Sequence, residues 1–335
     1  MRHVDVGDVR VSAVGLGTWQ FGSHEWAYGT SYAERTAPAI VRRSLDLGVD
    51  FVDTAEIYGF GRSERIVGRA LAGRRDEAFV ATKLFPVLPV VPVVGMRARG
   101  SLHRLATDRI DLYQLHWANP VVPQSSTAAA LRGLLADGTV RHVGVSNYSL
   151  ARWRELEDAL GLPVISNQVR YSLLDRRVER ELLPWAQGNG RIVVAYSPLA
   201  QGLLSGRYDA DHLPSGLRAR TPPFLAENLR ALAPLLEVLR GVATAHGASP
   251  AQIALAWLLR RPNVAVIPGA SSVEQAESNA ASADIDLSAA EDEALTHASD
   301  GYRPVAGPAA LGALVRDRAE RYRRRLRRSA DGLRA

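Results

Sequence analysis

Phe51-Val52-Asp53-Thr54-Ala55-Glu56-Ile57-Tyr58-Gly59 holds the end of an apolar run, Val49–Asp53, that stops on a carboxylate and reaches a tyrosine five residues later. A short Val/Ile-rich run ending on a polar residue is the pattern of a buried parallel strand whose last side chain faces a site. The pattern recurs on both sides of this segment. A hairpin is predicted at His3–Val6 and Val9–Ser12. Strands follow at Val14–Gly17, Val49–Asp53, Ala78–Thr82, Ile110–Leu115, Val140–Val145, Val164–Asn167, Arg191–Ala195 and Val264–Ile267. Helical periods lie between them at Thr36–Leu47, Ser63–Leu71, Thr127–Ala136, Leu150–Ala159, Val178–Gln187, Glu227–His246 and Pro250–Leu259, the last opened by Ser249-Pro250.

Eight βα units without a Pro/Gly/Ser linker predict an α/β fold, a (β/α)8 TIM barrel with an N-terminal β-hairpin and a C-terminal extension. Periodicity alone leaves a doubly wound sheet open. The barrel is assigned to residues 1–297, and a C-terminal loop with an Arg-rich tail to 298–335. In such a barrel the chemistry collects at the carboxyl ends of the strands. Those ends carry Asp53, Lys83, His116, Ser146-Asn147, Gln168, Tyr196-Ser197 and Pro268-Gly269. So many polar or backbone-exposing residues at one mouth are hard to assign to packing.

Composition narrows the classes. The chain has no cysteine, which removes disulfides, thiolate metal sites and thiol catalysis. No clustered His and carboxylate pattern suggests a metal site. No run is long and apolar enough to span a bilayer and no signal segment is visible, so the expectation is a cytoplasmic protein without membrane contact. Of the 335 residues, 41 are basic and the net charge is +6, yet the nine arginines from Arg316 onward, set against three acids, carry that whole excess. The barrel therefore shows no charge bias toward nucleic acid. Only one of those basic residues is a lysine, Lys83. Arginine stays protonated at any accessible pH, whereas lysine is a compact charge whose pKa moves with its surroundings, so Lys83 marks a place where the two do not exchange.

A phenol with pKa near 10 is a weak acid at neutral pH unless a cation stabilises its anion. A lysine supplies that cation, an aspartate holds the lysine, and a histidine orients the group that receives the proton. Asp53, Tyr58, Lys83 and His116 offer those four parts on three successive strand ends.

At this point the sequence resembles the aldo-keto reductase superfamily, over residues 1–297. The likeness rests on Gly15-Leu16-Gly17-Thr18-Trp19, the Phe51–Gly59 segment, Ala81-Thr82-Lys83, Ile110–His116, Arg141–Asn147, Asn167-Gln168-Val169, Tyr196–Gly202 and Ile267-Pro268-Gly269-Ala270. It implies reduction of an aldehyde or ketone with NADPH, NADP being favoured over NAD. Tyr58 would be the general acid, Lys83 and Asp53 would tune it, and His116 would position the carbonyl oxygen. No G-x-G-x-x-G follows the first strand, and the family binds its cofactor without one. By the same resemblance Gly17, Thr18, Trp19 and Asp53 would edge the cofactor. Ser146, Asn147 and Gln168 would hold its carboxamide, and Tyr196 would stack on the nicotinamide. Ser197, Leu199, Gln201 and Gly202 would follow the pyrophosphate, and Gly269, Ser271, Ser272, Gln275 and Asn279 would meet the adenosine end. Ser271-Ser272 stands where many members carry a cation for the 2′-phosphate, and Arg207 is the expected substitute. Ser278 replaces a glutamate common in the family.

The apolar stretch Leu84–Val94 either packs on the barrel rim or lines a substrate pocket with Trp19, Phe21 and Trp117. The substrate contacts expected from it are Trp19, Phe85 and Trp117. The partner implied is a small carbonyl compound, bound by a monomer or weak homo-oligomer. A rival reading comes from Tyr196–Gly202 followed by Ser205-Gly206-Arg207-Tyr208, which also resembles the beta subunits of potassium channels: a cofactor-binding regulatory or scaffolding subunit with slow turnover.

Overall fold

Two four-residue apolar alternations pair antiparallel as β1 (His3–Val6) and β2 (Val9–Ser12), joined through Gly7 at a φ of 58°. Only glycine takes such a turn without strain. The computed structural model describes residues 1–22, 32–214 and 216–314, so expectations about the Arg-rich tail lie outside the described residues. It divides into two units, Met1–Gln201 with Gln252–Leu287, and Gly202–Ala251 with the described residues from Ser288 on.

The first unit holds the whole barrel. Its strands are β3 (Leu16–Gly17), β4 (Phe51–Asp53), β5 (Phe79–Leu84), β6 (Ile110–Leu115), β7 (Val140–Ser146), β8 (Val164–Arg170), β9 (Ile192–Tyr196) and β10 (Val264–Val266). Every strand is hydrogen-bonded to its sequence neighbour and all pair parallel. The two ends of the sheet then meet. Val14 bridges Val266 and Gly17 bridges Gly269, with Gly15 N donating to Val266 O at 2.7 Å and Val266 N to Ala13 O at 2.8 Å. That closure resolves the sequence alternative in favour of the (β/α)8 barrel. Strands buried on both faces explain the continuous Val/Ile/Leu runs, as in β6, where all six residues are buried.

The helices are α1 (Trp19–Gly22), α2 (Ala37–Asp46), α3 (Arg62–Ala70), α4 (Val91–Leu105), α5 (Gln124–Ala136), α6 (Leu150–Leu160), α7 (Leu182–Gly188), α8 (Ala226–Ala245), α9 (Pro250–Leu259), α10 (Val273–Ala281) and α11 (Ala289–Asp300). Their ends follow local chemistry. The Ser149 side chain accepts from Arg152 N to open α6, which stops at Gly161 in the left-handed region. Ser288 and Glu291 form a reciprocal capping box on α11. Ile40 and Val41 of α2 and Ile66 and Val67 of α3 bury against Val52 and Val80, each full burial contributing roughly 1.5–3 kcal/mol. In the second unit α8 packs on α11, with His246 2.8 Å from Glu291, and the Asn228 side chain bonds both N and O of Val305.

Three sequence expectations change. Val91–Val94, read within an apolar loop, open α4, with Pro92 in the first turn where its missing N–H costs nothing. Helix α7 begins at Leu182, because Arg177–Glu179 form a separate 3-10 turn and Glu181 leaves the helical region at a φ of −137°. Phe21 does not line a pocket: at 1 % exposure it belongs to the core cluster and meets Tyr32 edge-on.

The closing seam predicts its own sensitivity. A Cβ at Gly15 would lie 2.8 Å from Phe51 O and 2.9 Å from its ring. Gly15→Ala should therefore destabilise by about 1–3 kcal/mol, the cost of overpacking, and lower the thermal melting midpoint by several degrees. An unchanged melt would show that the seam relaxes freely.

Candidate active site

The parallel register sets the site. Lys83 of β5 pairs with Gln114 of β6, Gln114 with Gly144 of β7, and Ser146 of β7 with Gln168 of β8. Gly144 is required where it stands, since a Cβ there would meet Ser166 Oγ at 2.4 Å. Gln114 and Gln168 thereby face Asp53 from across the barrel.

Lys83 is fully buried. Its Nζ donates to Asp53 Oδ1 at 2.6 Å, to the Thr54 carbonyl at 2.8 Å and to Tyr58 Oη at 3.2 Å. The second Asp53 oxygen accepts from Gln168 Nε2 at 2.7 Å and from Gln114 Nε2 at 3.2 Å. Burial alone would lower the Lys83 pKa, but the Asp53 carboxylate and the Tyr58 hydroxyl outweigh it and hold Lys83 above its ordinary value, as an ammonium. Burial also pushes the Tyr58 hydroxyl up. Lys83 pulls the other way without reversing the shift, so Tyr58 rests as a protonated phenol beside a cation.

His116 ends β6 over this pair. Its ring meets Tyr58 edge-on at 5.9 Å, stacks on Trp117 at 3.9 Å and takes the edge of Phe85 at 6.5 Å. Burial, helped by the Lys83 charge, lowers its pKa from 6.5 to about 3, so the imidazole is neutral. Its Nδ1 is buried without a hydrogen-bond partner. Trp19 and Trp117 are exposed at 44 % and 42 %, and Phe85 packs edge-on to Trp117 at 5.7 Å. Thr18 accepts no such exposure; its hydroxyl bonds Asp53 O at 2.8 Å and Ser63 Oγ at 2.8 Å, bracing the strand end.

Beside the tetrad, Ser146 Oγ donates to Gln168 O at 3.0 Å, and Asn147 Nδ2 donates to His116 O at 3.2 Å and Ser146 Oγ at 3.0 Å. Tyr196 donates its hydroxyl to Asn147 Oδ1 at 2.9 Å, which fixes its ring. Asn147, Ser197 and Gln201 all sit at positive φ, so the chain turns sharply as it leaves β7 and β9. Around α10, the Gln275 side chain accepts from Ser271 N and Oγ, both at 2.9 Å, Ser272 caps the helix, and Asn279 Nδ2 donates to Gly269 O at 3.3 Å. Leu199 is half-buried, Gly202 lies in the second unit, and so does Arg207, which is exposed.

Several polar partners escaped the sequence reading. Gln114 is a polar side chain inside an apolar strand, and that interruption was its available signal. Glu64 is fully buried, held by Thr82 Oγ1 at 2.7 Å and Arg104 Nε at 2.5 Å, and Glu56 pairs with Arg97. Both partners lie on α4. Among the described residues no His/Asp/Glu group could hold a metal ion, and no helix is long and apolar enough to cross a membrane.

A closed parallel barrel with this buried pair under a phenol and an imidazole is the frame of a barrel oxidoreductase. The aldo/keto reductase family model matches residues 13–300, and the chain belongs to that family. An uncharacterized oxidoreductase of Mycobacterium tuberculosis is 52 % identical over 322 residues, 96 % of this chain and all of that one. An NADH-specific methylglyoxal reductase of Escherichia coli is 33 % identical over 87 % of this chain and 96 % of its own. Among solved structures, an aldo/keto reductase of Klebsiella pneumoniae in complex with NADP and acetate superposes with a TM-score of 0.72 at 33 % identity, covering 91 % of this chain and 96 % of that one.

The neutral His116 has a consequence for acid stability. An unfolded imidazole takes its proton near pH 6.5 and the folded one only near 3. The unfolded chain thus binds more protons between those values. Stability present above pH 6.5 is lost as pH falls toward 3. Melting midpoints of His116→Asn should fall less than those of wild type between about pH 6.5 and 4. Parallel curves would show that folding does not hinder this protonation.

Proposed function

We propose that this protein reduces an aldehyde or ketone to an alcohol with NADPH, Tyr58 giving the proton. The observation that carries the reading is the buried Lys83 ammonium bridging Asp53 and the Tyr58 hydroxyl. A phenol held protonated beside a fixed cation is suited to protonate an alkoxide, because the cation stabilises the phenolate left behind. Asp53, fastened by Gln168 and Gln114, keeps the cation in place. His116, neutral over the working pH range, donates or accepts a hydrogen bond without adding charge, and so orients a carbonyl oxygen toward Tyr58. Trp19, Phe85 and Trp117 offer that substrate an apolar surface.

The donor set fits a nicotinamide cofactor. Ser146, Asn147 and Gln168 bring a hydroxyl and two amides to one edge of the mouth, the mixture of donors and acceptors that a carboxamide needs, and Tyr196 offers its ring beside them. When bound, the cofactor supplies the hydride. Gly17, Thr18, Ser197, Leu199, Gln201, Gly202, Gly269, Ser271, Ser272, Gln275 and Asn279 are assigned to the rest of it. Glu274 is exposed in the first turn of α10. For a 2′-phosphate, Ser271, Ser272 and the N–H groups opening α10 offer hydrogen bonds but no full charge, and the cation proposed from the sequence is Arg207.

Tyr58→Phe and Lys83→Met should each lower turnover of an aldehyde by at least about 10²-fold, the scale of a lost acid catalyst, while NADPH still quenches protein fluorescence. Near wild-type turnover in either variant would remove the mechanism. For the cofactor, wild type should bind NADPH at least about tenfold more tightly than NADH, and Arg207→Ala should lose most of that difference, one charge-assisted hydrogen bond being worth about 1.5–3 kcal/mol. Equal dissociation constants in wild type would overturn the NADP assignment.

A further inference from the structure

The carboxylate of Glu56 lies three residues after Asp53 and two before Tyr58, and no step of the reaction uses it. It is nonetheless tied down from two sides. Its Oε1 accepts from the backbone N–H of Phe85 at 2.5 Å, and both of its oxygens accept from Arg97 of α4, Nε reaching Oε2 at 3.0 Å and Nη2 reaching Oε1. The same guanidinium has a third arm. Arg97 Nη1 donates to the carbonyl of Phe85 at 2.7 Å and to that of Val87 at 3.2 Å. One ion pair thus holds both the N–H and the C=O of Phe85 and connects three segments: the loop bearing Tyr58, the chain leaving Lys83, and α4.

Further along, other ties hold the segment, Asn119 Nδ2 to Pro86 O at 2.7 Å and Thr127 Oγ1 to Pro89 O at 3.1 Å, so the particular hold of the ion pair is on Phe85. The segment is apolar, Val87 and Leu88 are exposed, and Leu88 sits at a φ of 47°, a left-handed conformation that a leucine adopts only against strain. The Phe85 ring at the start of that segment meets His116 and Trp117 edge-on, so the position of one backbone unit sets the apolar wall beside Trp117. The planar fork of arginine is suited to this task, since it grips a carboxylate and two carbonyls at once, which the point charge of lysine does not.

We propose that the Glu56–Arg97 pair is a positioning clasp that selects the substrate: by fixing Phe85 against His116 and Trp117 it favours carbonyl compounds bearing an aryl group over small ones. This rests on the reductase reading above. The selectivity comes from the ring the clasp presents, not from contact between the ion pair and the substrate, so its loss acts on binding of a bulky group and leaves the proton-donating centre alone.

The test compares an aryl aldehyde, such as 4-nitrobenzaldehyde, with methylglyoxal, using NADPH. Absence of turnover with both in wild type would overturn the reductase reading itself, before the clasp is at issue. With turnover in hand, Arg97→Ala should raise KM for the aryl aldehyde about tenfold, the scale of one lost aromatic contact, with kcat for both and KM for methylglyoxal within about threefold of wild type. Arg97→Lys should recover only part of the loss. Phe85→Ala should raise the same KM, and the double variant should be no worse than the single ones, because both changes remove one wall. If Arg97→Ala does not melt cooperatively, Glu56→Gln replaces it in the same cycle with Phe85→Ala. Additive losses in the cycle, equal changes in KM for both aldehydes, or a fall in kcat for both would overturn the proposal.

Discussion

A lysine ammonium with no access to water sits in the centre of the barrel, and its hydration has been replaced by three protein oxygens. Removing two charges from water costs several kcal/mol per ion, which mutual attraction offsets only when geometry is close and the remaining donors and acceptors are satisfied. Here they are: Lys83 has Asp53, Thr54 O and Tyr58, and the far oxygen of Asp53 has the two glutamine amides. Those partners come from β4 and the loop after it, β6 and β8, and Lys83 itself from β5, so the pair is tolerable only inside a closed barrel whose register is correct. The seam at Gly15 and Gly17, remote in sequence from Gln168, is therefore part of what keeps the ammonium in place.

A second layer of ion pairs stands behind this one. Glu56 and Glu64 both leave the segment that carries Tyr58, and both find an arginine on α4, Arg97 and Arg104. Gly68 of α3 allows the close approach, since a Cβ there would lie 2.4 Å from Leu105 O. Helix α4 is thus fastened to the loop after Asp53 through Arg97 and to α3 through Arg104. Arg97 also holds backbone, at the carbonyls of Phe85 and Val87, whereas Arg104 bonds the side chains of Glu64 and Ser101.

How far this was legible in the sequence follows from where each residue sits. Asp53, Lys83 and His116 could be read because a polar residue that ends an apolar strand has few structural reasons to be there, and Tyr58 because it stands close behind one. Gln114 was hidden by the same logic, since it interrupts a strand instead of ending it. The helix α4 was obscured by Pro89, Pro92, Gly95 and Gly100, all of which weaken the periodic signal, although Pro92 falls in the first turn, where proline is harmless. With α4 unread, the partners of Glu56 and Glu64 had no place to come from. Phe21 was misjudged because aromatic character alone does not tell a pocket wall from a core side chain; its burial follows from the turn of α1, which no periodicity announces.

One cation bears on two protonation states that burial sets. Lys83 opposes a proton on His116 and favours loss of one from Tyr58, yet burial keeps the phenol protonated in the resting protein. In the reading proposed, Lys83 and Asp53 cancel, and His116 and Tyr58 are both neutral before reaction. The negative charge that appears when Tyr58 gives up its proton then faces a single ammonium at hydrogen-bond distance. A protonated His116 would blunt that asymmetry by offering the developing charge a second cation and the substrate oxygen a competing acid. In the same reading, keeping His116 neutral by burial under Trp117 and Phe85 leaves the acid role to Tyr58, and the apolar wall proposed to meet the substrate is then part of the electrostatics of the centre as well.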